Sequence, residues 1–256
     1  MSTKQLLAAS LVTGLAASAA NAAIIEDAQA NGNSTGSTVN LNIDASGSDM
    51  LVVFVVGEHG FNNTSGQSNS VTYDGVSLTE IVDRDPVASG TDTLFSSIWV
   101  LDDPSAVHTA GLLETNSTTR GNVWAFALSG DNDLVVGDSG FSGSNTRSID
   151  LTTAAGSWVG AAFNLGGAGN TAGLGGISAD APLTSVGGQE NGSNWDGHFL
   201  GTQNGTSAGT TTYSFTGGNV NGALVTAIEI QEVPEPGSLA LLGLGGLMMA
   251  KRRRRV

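Results

Sequence analysis

The chain has 256 residues, 37 of them glycine, no cysteine and only 12% charged side chains, which excludes an architecture of long helices, any disulfide, any thiolate metal site and any cysteine nucleophile. The formal net charge of -14 is unevenly spread: of nine Lys and Arg, Lys4 lies near the start and Lys251, Arg252, Arg253, Arg254 and Arg255 at the end, leaving Arg84, Arg120 and Arg147 between. So acidic a middle repels phosphates and argues against nucleic acid as a partner, while suiting salty or calcium-containing surroundings that screen its own repulsion.

Taken in chain order, Lys4 precedes an apolar run over 6–17, and Ala20-Asn21-Ala22 offers a small-x-small cleavage site. Residues 1–22 are therefore expected to be a secretory signal peptide, which makes the Sec translocon and a signal peptidase the first partners. The run is too short to span a bilayer as a permanent helix.

From 23 to 232 the pattern is short apolar or alternating segments separated by Gly, Asn, Asp and Ser. Strands are predicted over 38–44, 50–57, 70–73, 76–82, 94–101, 112–115, 122–128, 134–137, 147–152, 157–164, 198–203, 211–215 and 223–231. Val39, Leu41 and Ile43 alternate with polar residues, giving one wet and one dry face. The unbroken run from Met50 to Val56 predicts a central strand covered on both sides. Asp74-Gly75 between Tyr73 and Val76 is a two-residue hairpin signal. The expected fold is one all-β domain, an antiparallel β-sandwich of jelly-roll type, held by burial alone.

Candidate chemistry in this middle is sparse. His59, His108 and His198 are far apart, show no metal-ligand spacing and are expected on the surface or in loops. No Gly-x-Ser-x-Gly elbow occurs, and no paired acidic motif stands out for a glycoside hydrolase, so a catalytic role ranks low. Asp131, Asp133 and Asp138 are weak candidates for calcium, a hard cation that takes oxygen ligands, with a solvated turn as the favoured alternative. Of the tryptophans, Trp99 and Trp124 sit in strand patterns and are expected in the core. Trp195, beside Asp196 in a polar stretch, is the possible ligand contact, because an exposed indole offers an apolar face for stacking a sugar.

At the far end, Val233-Pro234-Glu235-Pro236-Gly237 stops the preceding strand. Residues 238–250 are uncharged and rich in Leu, Gly and Met, and Lys251 to Arg255 are all cationic. The apolar part is shorter than the roughly 20 residues of an ordinary spanning helix, and the basic cluster is expected to stay in the cytoplasm. The same residues would also serve as a simple membrane anchor, though a poor one.

Pro234-Glu235-Pro236, the apolar span and the terminal arginines together resemble the PEP-CTERM sorting signal of Gram-negative bacteria that make extracellular polysaccharide. The resemblance covers 233–256. It implies a substrate of an exosortase, a membrane enzyme that cuts near the motif, and transient retention at the inner membrane before transfer to the cell envelope, surface or exterior. A second resemblance rests on 71–79, 97–101 and 122–130, with the closing Ala227-Ile228-Glu229-Ile230 strand. It is similar to a β-sandwich module of uncharacterised bacterial exported and phage-associated proteins, and implies fold without activity. The leading expectation is thus a non-enzymatic surface or matrix protein without cofactor. A lectin-like binder of polysaccharide, with calcium possible, is the alternative.

Overall fold

The computed structural model describes residues 24–34, 38–59, 70–89, 92–104, 111–116, 120–142, 146–165, 177–190, 197–217 and 223–233. Within these the chain is almost entirely strand, and every strand pairing is antiparallel. The expected membrane span over 238–250 lies outside the described residues, among which no helix is long and apolar enough to cross a membrane.

The first half of the chain builds two sheets. A five-stranded sheet has the order β1 (Ile25–Ser34), β9 (Arg120–Ser129), β3 (Met50–His59), β7 (Asp92–Asp102), β6 (Thr79–Ser89). A smaller sheet orders β2 (Thr38–Ile43), β8 (Gly111–Asn116), β4 (Val71–Tyr73) and β5 (Val76–Ser77). The hairpin between β4 and β5 turns at Asp74 and Gly75, with φ of 52° and 85°. Both central residues thus adopt the left-handed conformation that a tight hairpin needs and that Asp and Gly tolerate.

The second half repeats this plan. Its large sheet runs β10 (Leu134–Phe141), β17 (Ala223–Glu232), β12 (Trp158–Leu165), β15 (Gly197–Asn204), β14 (Thr184–Glu190), and its small sheet β11 (Ser148–Thr153), β16 (Gly209–Thr216), β13 (Ser178–Ala179). Replacing β1, β9, β3, β7 and β6 by β10, β17, β12, β15 and β14 converts one order into the other. The same holds for β2, β8 and β4 with β11, β16 and β13. Register agrees as well: Met50 pairs with Asp102 and Leu128, and Trp158 pairs with Asn204 and Ile230. Both β6 and β14 carry a bulge two residues after a Leu-Thr pair, at Ile81 and at Val186. The domain is two structurally equivalent halves.

Three apolar cores follow. The central one lies between the two large sheets, where Met50, Phe54, Trp124 and Phe126 of the first half meet Trp158, Ala162, Leu200, Ile228 and Ile230 of the second. The outer faces of the large sheets pack on the small sheets, Val53 and Trp99 joining Leu41 and Tyr73 on one side, Phe163 and Val225 joining Leu151 and Phe215 on the other. The all-β antiparallel sandwich expected from sequence is therefore present, with a further layer on each outer face. Strand β3 alternates between two cores, even positions from Met50 inward and Leu51, Val53 and Val55 outward, which is why its sequence shows no polar face.

Packing between the halves is asymmetric where it is tightest. Trp158 is fully buried and donates its indole N–H to Glu26 Oε1 at 2.7 Å, crossing from one large sheet to the other. Asn204 donates to the carbonyl of Ile24 at the same end of the stack. Phe126 lies 5.4 Å from Trp158 and 6.2 Å, edge-on, from Phe54. Phe54 in turn lies over Gly160, where an added Cβ would come within 2.6 Å of its ring.

Candidate functional site

Trp99, Trp124 and Trp158 are all buried core residues, as expected for Trp99 and Trp124. Trp195 and Asp196 lie outside the described residues, between β14 and β15. His108 and the side chain of His59 also lie outside them.

His198 corrects an expectation. It is not a surface or loop residue: it sits in β15, fully buried, and faces the central core like its neighbour Leu200. Burial alone pushes its pKa down to about 3, since a charged imidazole there would lose its hydration without a counter-charge. Among the described residues neither ring nitrogen has a hydrogen-bond partner. Directly across the ladder stands Asn164, also buried, which donates to the carbonyls of Gly57 and Phe95, each at 2.8 Å. Ser96 and Thr226 share a hydrogen bond of 2.7 Å between the same two sheets. The central core therefore changes from aromatic at one end to polar at the other. This polar layer ties the halves together, and its imidazole is sealed from solvent and so does not reach an external substrate.

The aspartates proposed for calcium are not gathered. Asp131 and Asp133 lie in the turn that joins the two halves, whereas Asp138 lies within β10. Both oxygens of Asp138 are engaged, Oδ1 accepting from Ser139 N at 2.9 Å and Oδ2 from Thr152 N at 2.7 Å. Among the described residues no group of three or more His, Cys, Asp or Glu is placed to hold a metal ion. A bulge in β10 between Val136 and Ser139 separates Asp138 from the linking turn and points it toward the seam between β10 and β11.

Among the described residues, that seam holds the most enclosed carboxylate. Glu229 is fully buried and accepts from Ala154 N at 2.6 Å, Asp138 N at 3.0 Å and Gln231 Nε2 at 2.6 Å. Three N–H donors replace the water that a buried carboxylate would otherwise lose. Gly137 makes room for it, because a Cβ there would overlap Glu229 Oε2 and Gln231 Nε2. The nearby Tyr213 hydroxyl is raised in pKa, first by burial and further by the charge of Glu229.

A second group of acidic residues ends the stack where the chain leaves the domain. Asp27 accepts from Ser48 Oγ at 2.7 Å and Ser129 Oγ at 3.0 Å, and Asp49 from Gly130 N at 2.8 Å. Glu232, the last residue of β17, accepts from Asp131 N at 2.7 Å. Val233 N then donates to Asp133 O at 2.9 Å. These carboxylates are engaged with the chain's own donors and brace the turn between the halves against the end of β17.

Immediately after that point the sequence matches a described family: residues 232–255 fit the PEP-CTERM protein-sorting motif. The chain carries a PEP-CTERM protein-sorting motif. It marks an exported protein handled by an exosortase, a membrane enzyme, on the way to the cell envelope or surface. Pro234, Glu235 and Pro236, and the basic residues Lys251 to Arg255, fall inside the match and outside the described residues. No curated protein and no solved structure matches the chain. The match starts at Glu232, so the PEP-CTERM motif and the described part of the domain share Glu232 and Val233.

Proposed function

We propose that this exported protein has a structural role at the cell surface or in the extracellular matrix, associated with extracellular polysaccharide and without catalytic activity. The observation that carries this reading is the PEP-CTERM motif at 232–255, joined directly to a domain in which Asp27, Asp49, Asp138, Glu229 and Glu232 bind the domain's own N–H and hydroxyl groups. On this reading the signal peptide over 1–22 directs the chain to the Sec translocon and is removed by signal peptidase. The C-terminal span holds it in the inner membrane until exosortase acts. Replacing Pro234, Glu235 and Pro236 with alanine leaves the precursor uncut in the membrane; normal processing of that variant would sink the sorting assignment.

The second reading is a lectin-like module using Trp195 and Asp196. Its support is the position of an indole in a polar segment between β14 and β15. A glycan array run on the mature protein with and without calcium separates the two. Binding that Trp195→Ala abolishes favours the lectin, and no binding in either condition leaves the structural role.

A further inference from the structure

The overlap between the sorting motif and the last strand has a mechanical consequence. Strand β17 lies between β10 and β12, but the two pairings end at different places. Pairing with β12 stops at Ile230, opposite Trp158, whereas pairing with β10 continues through Gln231, opposite Val135, to Glu232, opposite Leu134. Ile230 is fully buried in the central core, while Val233 is 39% exposed. Among the described residues, 231–233 are thus held from one side, by β10 and by the turn at Asp131 and Asp133. The individual bonds are Asp131 N to Glu232 Oε1 at 2.7 Å and Val233 N to Asp133 O at 2.9 Å.

A peptide-processing enzyme takes its substrate extended and uses the substrate's main-chain N–H and C=O groups, as an added strand does at a sheet edge. Just ahead of Pro234 the groups that face β10 are already committed to the domain's own chain, Val233 N donating to Asp133 O. We propose that residues 231–233 form a latch, and that the exosortase engages the motif only after this segment has peeled away from β10. The place where peeling stops is set by Ile230, which is paired on both sides and packed in the core. Releasing three residues gives about 10 Å of extended chain, at roughly 3.3 Å per residue. That gives the chain after Val233 this much slack without opening the core. A fully folded domain therefore presents a poor substrate until the latch opens, and the folded end around Asp131, Asp133 and Val233 is the surface that meets the enzyme.

This inference rests on the reading that exosortase cuts near Pro234 to Pro236, and the test separates the two. Because the chain has no cysteine, Val135→Cys with Gln231→Cys in the full-length precursor introduces a single cross-strand pair whose residues are direct partners. Facing positions in an antiparallel ladder stand at about 4.5–5.5 Å between Cα atoms, within disulfide reach. Conversion of precursor to processed protein is followed by mass in pulse-chase, in cells that hold the enzyme, with and without a membrane-permeant thiol. The expected result is processing of the oxidised chain at least tenfold slower than that of the same chain once it is reduced. A six-residue Gly-Ser insertion between Val233 and Pro234 restores processing of the oxidised chain by supplying the slack that the latch withholds. Equal rates for oxidised and reduced chains, or no rescue by the insertion, would overturn the latch. Normal processing of the Pro234-Glu235-Pro236 alanine variant would instead remove the sorting reading, and the latch with it.

Discussion

Gly160→Ala probes the contact on which the face-to-face packing of the two halves depends. The new methyl would stand 2.6 Å from Phe54 Cζ and 2.6 Å from Trp158 Cη2, with Phe54 Cε2 at 3.0 Å. Carbon atoms pack at about 3.5–4.0 Å, so the rings must retreat by roughly 1 Å on that distance scale. Both rings are fully buried, and Phe126 lies against each of them, so neither has free space to enter. Overpacking of this kind costs about 1–3 kcal/mol. The gain from a stiffer unfolded chain, about 0.4–1 kcal/mol for Gly to Ala, offsets part of that. A net loss of up to about 2.6 kcal/mol is expected, or up to ~10 °C in Tm for a domain of about this length. Phe54→Ala alone should cost about 3–5 kcal/mol. In the double variant the added methyl occupies space that the ring has vacated, so the combined loss should fall short of the sum by about 1 kcal/mol or more. Urea unfolding of the four proteins measures the cycle. Additivity to within about 0.5 kcal/mol would refute the packing of Phe54 over Gly160.

Glu229→Ala leaves the N–H groups of Ala154 and Asp138 without their acceptor, at about 1–3 kcal/mol each, so denaturation should show a loss of about 3–5 kcal/mol; a loss below about 1 kcal/mol would contradict the buried network. Gly137→Ala intrudes on the same carboxylate and should lower Tm, and a rise in Tm would show that the carboxylate moves aside freely. His198 gives a pH dependence: its folded pKa is depressed to about 3, so between that value and the ordinary 6.5 the unfolded chain binds the extra proton. Stability from this group is therefore complete above the unfolded pKa and falls with acidification toward the folded one, by up to about 1.4 kcal/mol per pH unit. His198→Gln should flatten that part of the urea-midpoint profile between neutrality and pH ~4, and identical profiles for the two proteins would show that His198 is not the group being titrated.

Much of the secondary structure was legible because local pattern and burial coincide. Predicted strands at 38–44, 50–57, 122–128 and 223–231 match β2, β3, β9 and β17 closely. Strands β1 and β14 escaped detection. β1 is polar, and it is held by main-chain pairing with β9 and by packing of Ala28 and Ala30 on the outer core. β14 is rich in glycine and polar residues, with Val186 alone carrying its apolar contact to the central core. His198 was misplaced because a polar residue in a strand reads as outward-facing, whereas here it belongs to a polar layer inside the sandwich.

The sequence by itself determined the class of fold and the sorting end. Both are written in contiguous residues: alternation and turn chemistry for the strands, and Pro-Glu-Pro, apolar run and arginines for the PEP-CTERM signal. Tertiary structure alone decided that the domain is two equivalent halves. Equivalent positions hold Met50 and Trp158, Val52 and Gly160, Phe54 and Ala162, Val56 and Asn164. What is kept between them is strand order and register, which residue identities do not carry, while Phe54 of one half lies against Gly160 of the other. Structure alone also decided where the folded domain ends. The ladder of β17 runs into the sorting motif because Val135 and Leu134 of β10, about a hundred residues earlier in the chain, pair with Gln231 and Glu232, and Asp131 N and Asp133 O add bonds to the Glu232 side chain and to Val233 N.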